Sequence, residues 1–290
     1  MASYRGAHVG VHIGAATHRG LLALASDGQA SLFMVLQAAL AALLTRLGAG
    51  NDIAIGSPIA GRTDSALDDL VGFFINTLVL RTDTSGNPSF RELLGRVRSF
   101  NLAAYGHQDL PFERLVEVLN PERSLARHPL FQVVLAFQNN APAHFALNDL
   151  SVAFEPVATG SAKVDLWLGL SERRATDGSP DGISGAIEYA TDLFDRSSVE
   201  VLAGRLVRLL EAAVAAPERP IGSLDILSAA ERATILRQWN DTAHPLRQAT
   251  LPELFAVQVG KTPDAIAVVF EDQQLTYREL DARANQLAHH

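Results

Sequence analysis

Along residues 8–13 apolar and polar positions alternate. Val9, Val11 and Ile13 share one face and His8, Gly10 and His12 the other, which predicts a half-buried strand. From residue 31 to 47 the period lengthens. Leu32, Val35, Leu36, Ala39, Leu40, Leu43 and Leu47 fall on one wide helical stripe, and Gly48 and Gly50 mark its end. Residues 52–55 predict a short strand closed by Gly56-Ser57-Pro58. The near-continuous apolar run of residues 70–80 predicts a central strand covered on both faces. Ser89 and Glu92 form a capping box ahead of a helix whose buried stripe is Phe90, Leu93, Leu94, Val97 and Phe100. A short helix is expected from about Pro111 to Leu119, with Asp109 as its cap. Phe131, Val133, Leu135 and Phe137 alternate as a strand. Residues 150–157, 164–170 and 183–189 predict three more, and Ser197 with Glu200 predicts the cap of a helix that ends near Ala213.

The texture changes at 215–222, Ala-Ala-Pro-Glu-Arg-Pro-Ile-Gly, which reads as a boundary. Residues 223–250 predict a linker with one short helix at 228–239. Residues 251–290 predict a helix, strand, helix unit, with Thr250/Glu253 and Thr276/Glu279 as capping pairs. Strands and helices alternate throughout, so the fold class is α/β, a mixed sheet with packed helices and a small tail.

With 290 residues there is room for one large or two ordinary domains, and 48% hydrophobic residues suffice for a core. A net charge of −8 argues against nucleic-acid binding by bulk electrostatics. The most apolar helix, 31–47, is interrupted by Gln37, Thr45 and Arg46 and is short for a bilayer span, so no membrane partner is expected. Cysteine is absent, which excludes disulfides and thiol chemistry and suits a cytoplasmic location. No Gly-x-Ser-x-Gly elbow and no phosphate loop ending in Lys-Ser or Lys-Thr occurs.

Three strings carry the chemistry: Val71-Gly72-Phe73-Phe74-Ile75-Asn76-Thr77-Leu78-Val79-Leu80-Arg81, His107-Gln108-Asp109-Leu110-Pro111-Phe112-Glu113, and Arg123-Ser124-Leu125-Ala126-Arg127-His128-Pro129-Leu130-Phe131-Gln132-Val133. Their order and spacing resemble the second half of a condensation domain of a nonribosomal peptide synthetase. Gly56-Ser57-Pro58-Ile59-Ala60-Gly61-Arg62, Lys163-Val164-Asp165-Leu166 and Glu188-Tyr189-Ala190-Thr191-Asp192-Leu193-Phe194 resemble other segments of that domain. Glu231-Arg232 with Trp239-Asn240-Asp241-Thr242 is similar to the linker that follows it. Thr262-Pro263-Asp264-Ala265-Ile266 and Leu275-Thr276-Tyr277-Arg278-Glu279-Leu280 are similar to the opening of an adenylation domain.

The resemblance implies residues 1–215 as the C-terminal lobe of a chloramphenicol-acetyltransferase-like fold, 216–250 as a condensation–adenylation linker, and 251–290 as the truncated start of an adenylation domain. It implies ordinary condensation rather than epimerisation or heterocyclisation: an amine on one carrier attacks a thioester on another. No cofactor is bound directly; the phosphopantetheine arms belong to partner carrier domains. The other expected partners are an N-terminal condensation lobe and the rest of the adenylation domain. That other lobe carries His-His-x-x-x-Asp-Gly, whose second His positions or deprotonates the amine. This string does not occur here, so the chain is expected to be silent alone, with no catalytic residue of its own.

Candidate tunnel or lobe-interface residues are Asn76, Thr77, His107, Gln108, Asp109, Arg62 and Asp165. Asn76 either bonds across the sheet or faces the tunnel. His107 is either a tunnel or interface residue or part of the turn between two helices. Asp165 faces the same choice between structural partner and interface contact, and Arg62 is placed to pair with Asp64 or Asp68. Phe73, Phe74, Phe112 and Phe131 are expected in the core. Arg81 is expected as a solvated or salt-bridged strand end. His8 and His12 share a strand face without a carboxylate at ligand spacing, so no metal site is expected.

Overall fold

The structure, a computed structural model, describes residues 2–62, 65–67, 69–122, 124, 127–138, 157, 159–243 and 248–290. The chain forms two compact units that divide between Arg232 and Ala233.

Among the described residues the first unit has a six-stranded sheet in the order β1-β6-β5-β4-β2-β3. The strands are β1 (Gly6–Ile13), β2 (Asp52–Ile59), β3 (Asn76–Asp83), β4 (Val133–Gln138), β5 (Leu166–Arg174) and β6 (Pro180–Ala190). β2, β4 and β5 run parallel, and the remaining pairings are antiparallel. Helices α1 (Ala15–Asp27), α2 (Leu32–Arg46), α3 (Phe90–Tyr105) and α5 (Arg196–Ala215) pack with one face into a single core. A smaller cluster of Phe131, Val134 and Val164, backed by Phe112 of α4 (Phe112–Leu119), lies on the other face.

β1 shows the expected alternation, with Val9, Val11 and Ile13 buried. α1 has no counterpart among the expected elements. Its buried positions, His18, Leu21, Leu24 and Ala25, have helical spacing, but a histidine in the stripe hides it. α2 is buried on every side rather than along one stripe, with Ala38, Ala41 and Ala42 as closed to solvent as Leu40.

β2 continues through Gly56-Ser57-Pro58, which was expected to end it. Pro58 is tolerated because the pairing with β4 involves only Ile55 and Gly56, so no ladder bond is asked of its nitrogen on that side. The run 70–80 is not one central strand. Pairing begins at Asn76, β3 lies at the sheet edge, and Phe73, expected in the core, is 88% exposed. Arg81 lies within β3 and ion-pairs with Asp52 on β2.

Helix α3 has its capping box, but Phe100 faces outward and the fully buried Asn101 takes the inward position. Asn101 Nδ2 donates to Gln37 Oε1 at 2.6 Å, and Gln37 Nε2 donates to Thr82 Oγ1 at 3.1 Å, so the Asn101 amide nitrogen and Gln37 are partnered in the core. α5 begins at Arg196 with Asp195 as its N-cap, two residues before the expected Ser197 cap. Of the expected strand 150–157, only Val157 lies within the described residues.

Residue 215 ends α5, yet the compact unit continues to Arg232. Pro217 and Arg219 carbonyls accept from Arg91 and Phe90 amides, and Arg208 donates to the Ile226 carbonyl at 2.9 Å. Glu231 accepts from Arg205 and Arg208, each at 2.9 Å. Residues expected to open a linker are thus bound to the helical layer. The expected helix 228–239 is split into α6 (Ala229–Ala233) and a π-helical turn, Thr234–Gln238.

The second unit contains α7 (Leu251–Lys261), β7 (Ile266–Phe270), β8 (Gln273–Thr276) and α8 (Tyr277–Ala288). Both expected capping boxes are present. The single expected strand is an antiparallel hairpin. No single helix among the described residues is long and apolar enough to cross a membrane.

Candidate functional site

Parallel strands place their carboxyl ends along one edge of a sheet, where α/β folds commonly hold ligands. In this sheet the ends of β2, β4 and β5 border a groove of about 1030 Å³, with Ser57, Pro58, Gln138 and Glu172 among its lining residues. The amino end of α2, whose Ser31 hydroxyl accepts from the Met34 amide, closes one side. Arg62, Phe74, Tyr105 and Gln108 complete the wall.

Arg62 Nη2 donates to the Leu70 carbonyl at 2.8 Å, and its guanidinium lies 4.4 Å from the Phe74 ring centroid, in cation–π range. Its Nη1 is buried without a partner among the described residues. Asp64 and Asp68, its expected partners, lie outside the described residues. Gly61, at φ +64°, makes this contact sterically accessible, because a Cβ there would strike the Phe74 carbonyl oxygen.

The Asn76 side chain bonds not across the sheet but to the turn between α3 and α4. Nδ2 donates to the Gln108 and Leu110 carbonyls, both at 2.8 Å. Oδ1 accepts from the Phe112 amide at 3.2 Å and from the Thr77 amide at 2.8 Å. A residue on β3 therefore caps α4, and Asp109 does not: Pro111 is the N-cap and offers no side-chain bond. His107 and Asp109 are exposed on this turn, while Gln108 lines the groove. Thr77 is half-buried opposite Pro58.

Asp165 lies apart, in a second cavity of about 510 Å³ with Arg127 and Lys163. Burial pushes its carboxyl pKa up, against the opposing charge of Arg127. His8 and His12 are exposed on β1, opposite Glu188 and Ser184, and the described residues contain no cluster of three metal-binding side chains.

Sequence reasoning missed the buried pair behind the groove. His18 is fully buried, and its Nδ1 accepts from the Gly182 amide at 3.2 Å. The ring proton therefore sits on Nε2 and is donated to Glu172 Oε1 at 3.1 Å. Arg174 Nη2 reaches the same oxygen at 2.6 Å. The signal was that Glu172 continues the buried row Leu166, Leu168, Leu170 on β5. Burial lowers the His18 pKa despite the pull of Glu172; burial also lowers that of His128, stacked against Phe112 and tilted against Phe131.

A histidine held neutral by the fold stabilises it above the unfolded-state pKa, and that stability is lost as pH falls through the lower folded value. The urea midpoint should therefore drop between about pH 7 and pH 5, before most carboxylates titrate. H18Q keeps a donor at the Nε2 position and should flatten the drop. An unchanged slope in H18Q would show that His18 does not contribute to it.

The condensation-domain family model matches residues 2–236. The chain belongs to the condensation domain family. A dimodular nonribosomal peptide synthase of Bacillus subtilis (strain 168) is 60% identical over 271 residues, covering 93% of this chain and 11% of the synthase. The chain thus spans about a tenth of that relative's length. Among solved structures, the X-domain from teicoplanin biosynthesis is 39% identical with a TM-score of 0.74, over 78% of this chain and 51% of that one. A holo four-domain nonribosomal peptide synthetase bound to AMP and glycine is 25% identical with a TM-score of 0.81, over 100% of this chain and 23% of that one. The mixed sheet with its packed helices is the chloramphenicol-acetyltransferase-like fold of condensation domains. Arg62, Phe74 and Gln108 come from three separate strings of condensation-domain type, and the fold gathers them on one groove.

Proposed function

We propose that residues 1–215 are the C-terminal lobe of a condensation domain, that 216–250 lead out of it, and that 251–290 open an adenylation domain. The activity served is peptide-bond formation between carrier-bound thioesters in nonribosomal peptide synthesis, in the cytoplasm. Convergence of three family strings on the groove at the strand ends carries this reading. Arg62, Gln108 and the turn held by Asn76 form one wall of the reaction tunnel; His107, Asp109 and Thr77 flank it. Asp165 serves a separate contact surface. The opposite wall, with its His-His-x-x-x-Asp-Gly base, comes from an N-terminal lobe.

Exposed Val71, Phe73 and Ile75 beside the groove support a second lobe seated there, because apolar surface gathered in this way marks an interaction site. Holding both thioesters in one tunnel aligns amine and carbonyl, and a placed base adds about 10²–10⁴-fold.

The test is to load donor and acceptor carriers and assay for condensed product. The chain alone should give none, and an added N-terminal lobe should co-purify with it and restore product. Turnover by the chain alone overturns the silence; no association and no product at high lobe concentration overturns the two-lobe reading. A second reading, a binding module without chemistry, is favoured by the similarity to the teicoplanin X-domain, which has been solved in complex with OxyB. Capture of a phosphopantetheinylated carrier, without product even when the lobe is present, selects it.

A further inference from the structure

We propose that Glu172 is the amine-recognition residue of the groove, receiving the amino group of the acceptor, and that His18 is its positioning residue. The inference rests on the groove's reading as a carrier-arm tunnel and goes beyond it in assigning one residue to one end of the substrate.

Glu172 stands at the carboxyl end of β5 with its side chain mostly enclosed, yet it lines the groove. Its hydrogen-bond partner His18 Nε2, at 3.1 Å, and its ion-pair partner Arg174 Nη2, at 2.6 Å, both approach the same oxygen, Oε1. Oε2 has no partner among the described residues. The carboxylate is thus tethered from behind and keeps an acceptor for a ligand, as a preorganised site requires. The tether is rigid at its far end, because His18 is itself fixed by the Gly182 amide and has no solvent access.

Apart from Arg62, Glu172 is the charged residue among those that line the groove, and the nearby walls include Phe33, Tyr105 and Phe137. A carboxylate in such a setting selects an N–H donor. It takes an ammonium by a charge-assisted bond, and after proton loss it still accepts from the neutral amine and orients its lone pair. A carboxylate buried only to organise the fold needs no opening to a groove. The fork of His18 and Arg174 also predicts how a neutral substitute behaves. In E172Q the amide oxygen would accept from His18 Nε2 and stay beside Arg174, and the amide NH₂ would face the groove, presenting a donor where an acceptor is needed.

The test is binding to this chain of a glycyl-pantetheine amide, a stable stand-in for an aminoacyl arm, against its N-acetyl counterpart, followed by NMR titration. The free-amine probe should bind about 10-fold more tightly, as expected for one charge-assisted contact. E172Q should abolish that preference, with the larger loss of affinity falling on the free-amine probe. H18F should reduce the preference and H18Q restore it, a recovery that a purely structural role does not produce. Equal binding of the two probes to the unaltered chain would overturn the role of Glu172 while leaving the arm-binding groove intact. Binding of neither probe would overturn both.

Discussion

Replacing Gly185 with alanine should unfold the first unit. Gly185 lies in β6, between Val11 of β1 and Leu170 of β5. A Cβ built there strikes the Gly169 carbonyl oxygen and carbon and the Leu170 Cα, all of them backbone. Relief would require β5 and β6 to separate inside the sheet, breaking the ladder that carries the parallel strand ends. A backbone clash of this kind belongs with the changes that cost more than about 4 kcal/mol, a large part of the roughly 5–15 kcal/mol that holds a domain together. The measurement is urea unfolding followed by circular dichroism, with two alanine controls on the same sheet. A Cβ on Gly10 meets nothing within 4 Å, and one on Gly169 meets only the Trp167 ring, at 3.6 Å and beyond. Both controls should stay within about 0.5 kcal/mol of the parent. A G185A protein as stable as G10A would show that β5 and β6 are not so closely apposed.

The fold was legible where local chemistry decides. Ser89, Thr250 and Thr276 each cap their helix with the expected glutamate, because a capping box needs only residues three apart. It was not legible where burial depends on distant surface. Residues 70–75 are as apolar as a central strand, but no strand among the described residues pairs with them, and the sheet edge begins only at Asn76. Phe100 and Asn101 exchange expected places because Gln37, itself held by Thr82 and far off in sequence, offers Asn101 a partner that an isolated helix pattern cannot show.

The candidate site divides in the same way. Arg62 and Gln108 were found through their strings, and the fold brings both to the groove. Asp165 was found in the same way and lies elsewhere. Glu172 and His18 were missed because neither sits in a recognisable string and they are 154 residues apart. What joins them is the packing of α1 against β6 and β5, a property of the sheet rather than of any segment.

Asn76 shows most directly how the groove depends on such remote contacts, and N76A should cost about 2–3 kcal/mol by leaving two amides and two carbonyls without their partner. Water can reach part of this turn, since Leu110 is exposed, which keeps the cost below the sum of four buried bonds. N76D separates the two halves of the interaction. Its carboxylate still accepts from the Thr77 and Phe112 amides and is favoured by the helix N-terminus. It cannot donate to the Gln108 and Leu110 carbonyls, and it repels them. Its stability should therefore fall between those of N76A and the parent. Amide exchange at Phe112 should speed up markedly in N76A and only slightly in N76D, whereas exchange in α2 should follow global stability alone. Equal exchange at Phe112 in both variants would mean that α4 is held by its apolar face and not by this side chain. Release of the turn would also free Gln108, so in the two-lobe assay N76A should lose activity even at temperatures where the sheet remains folded.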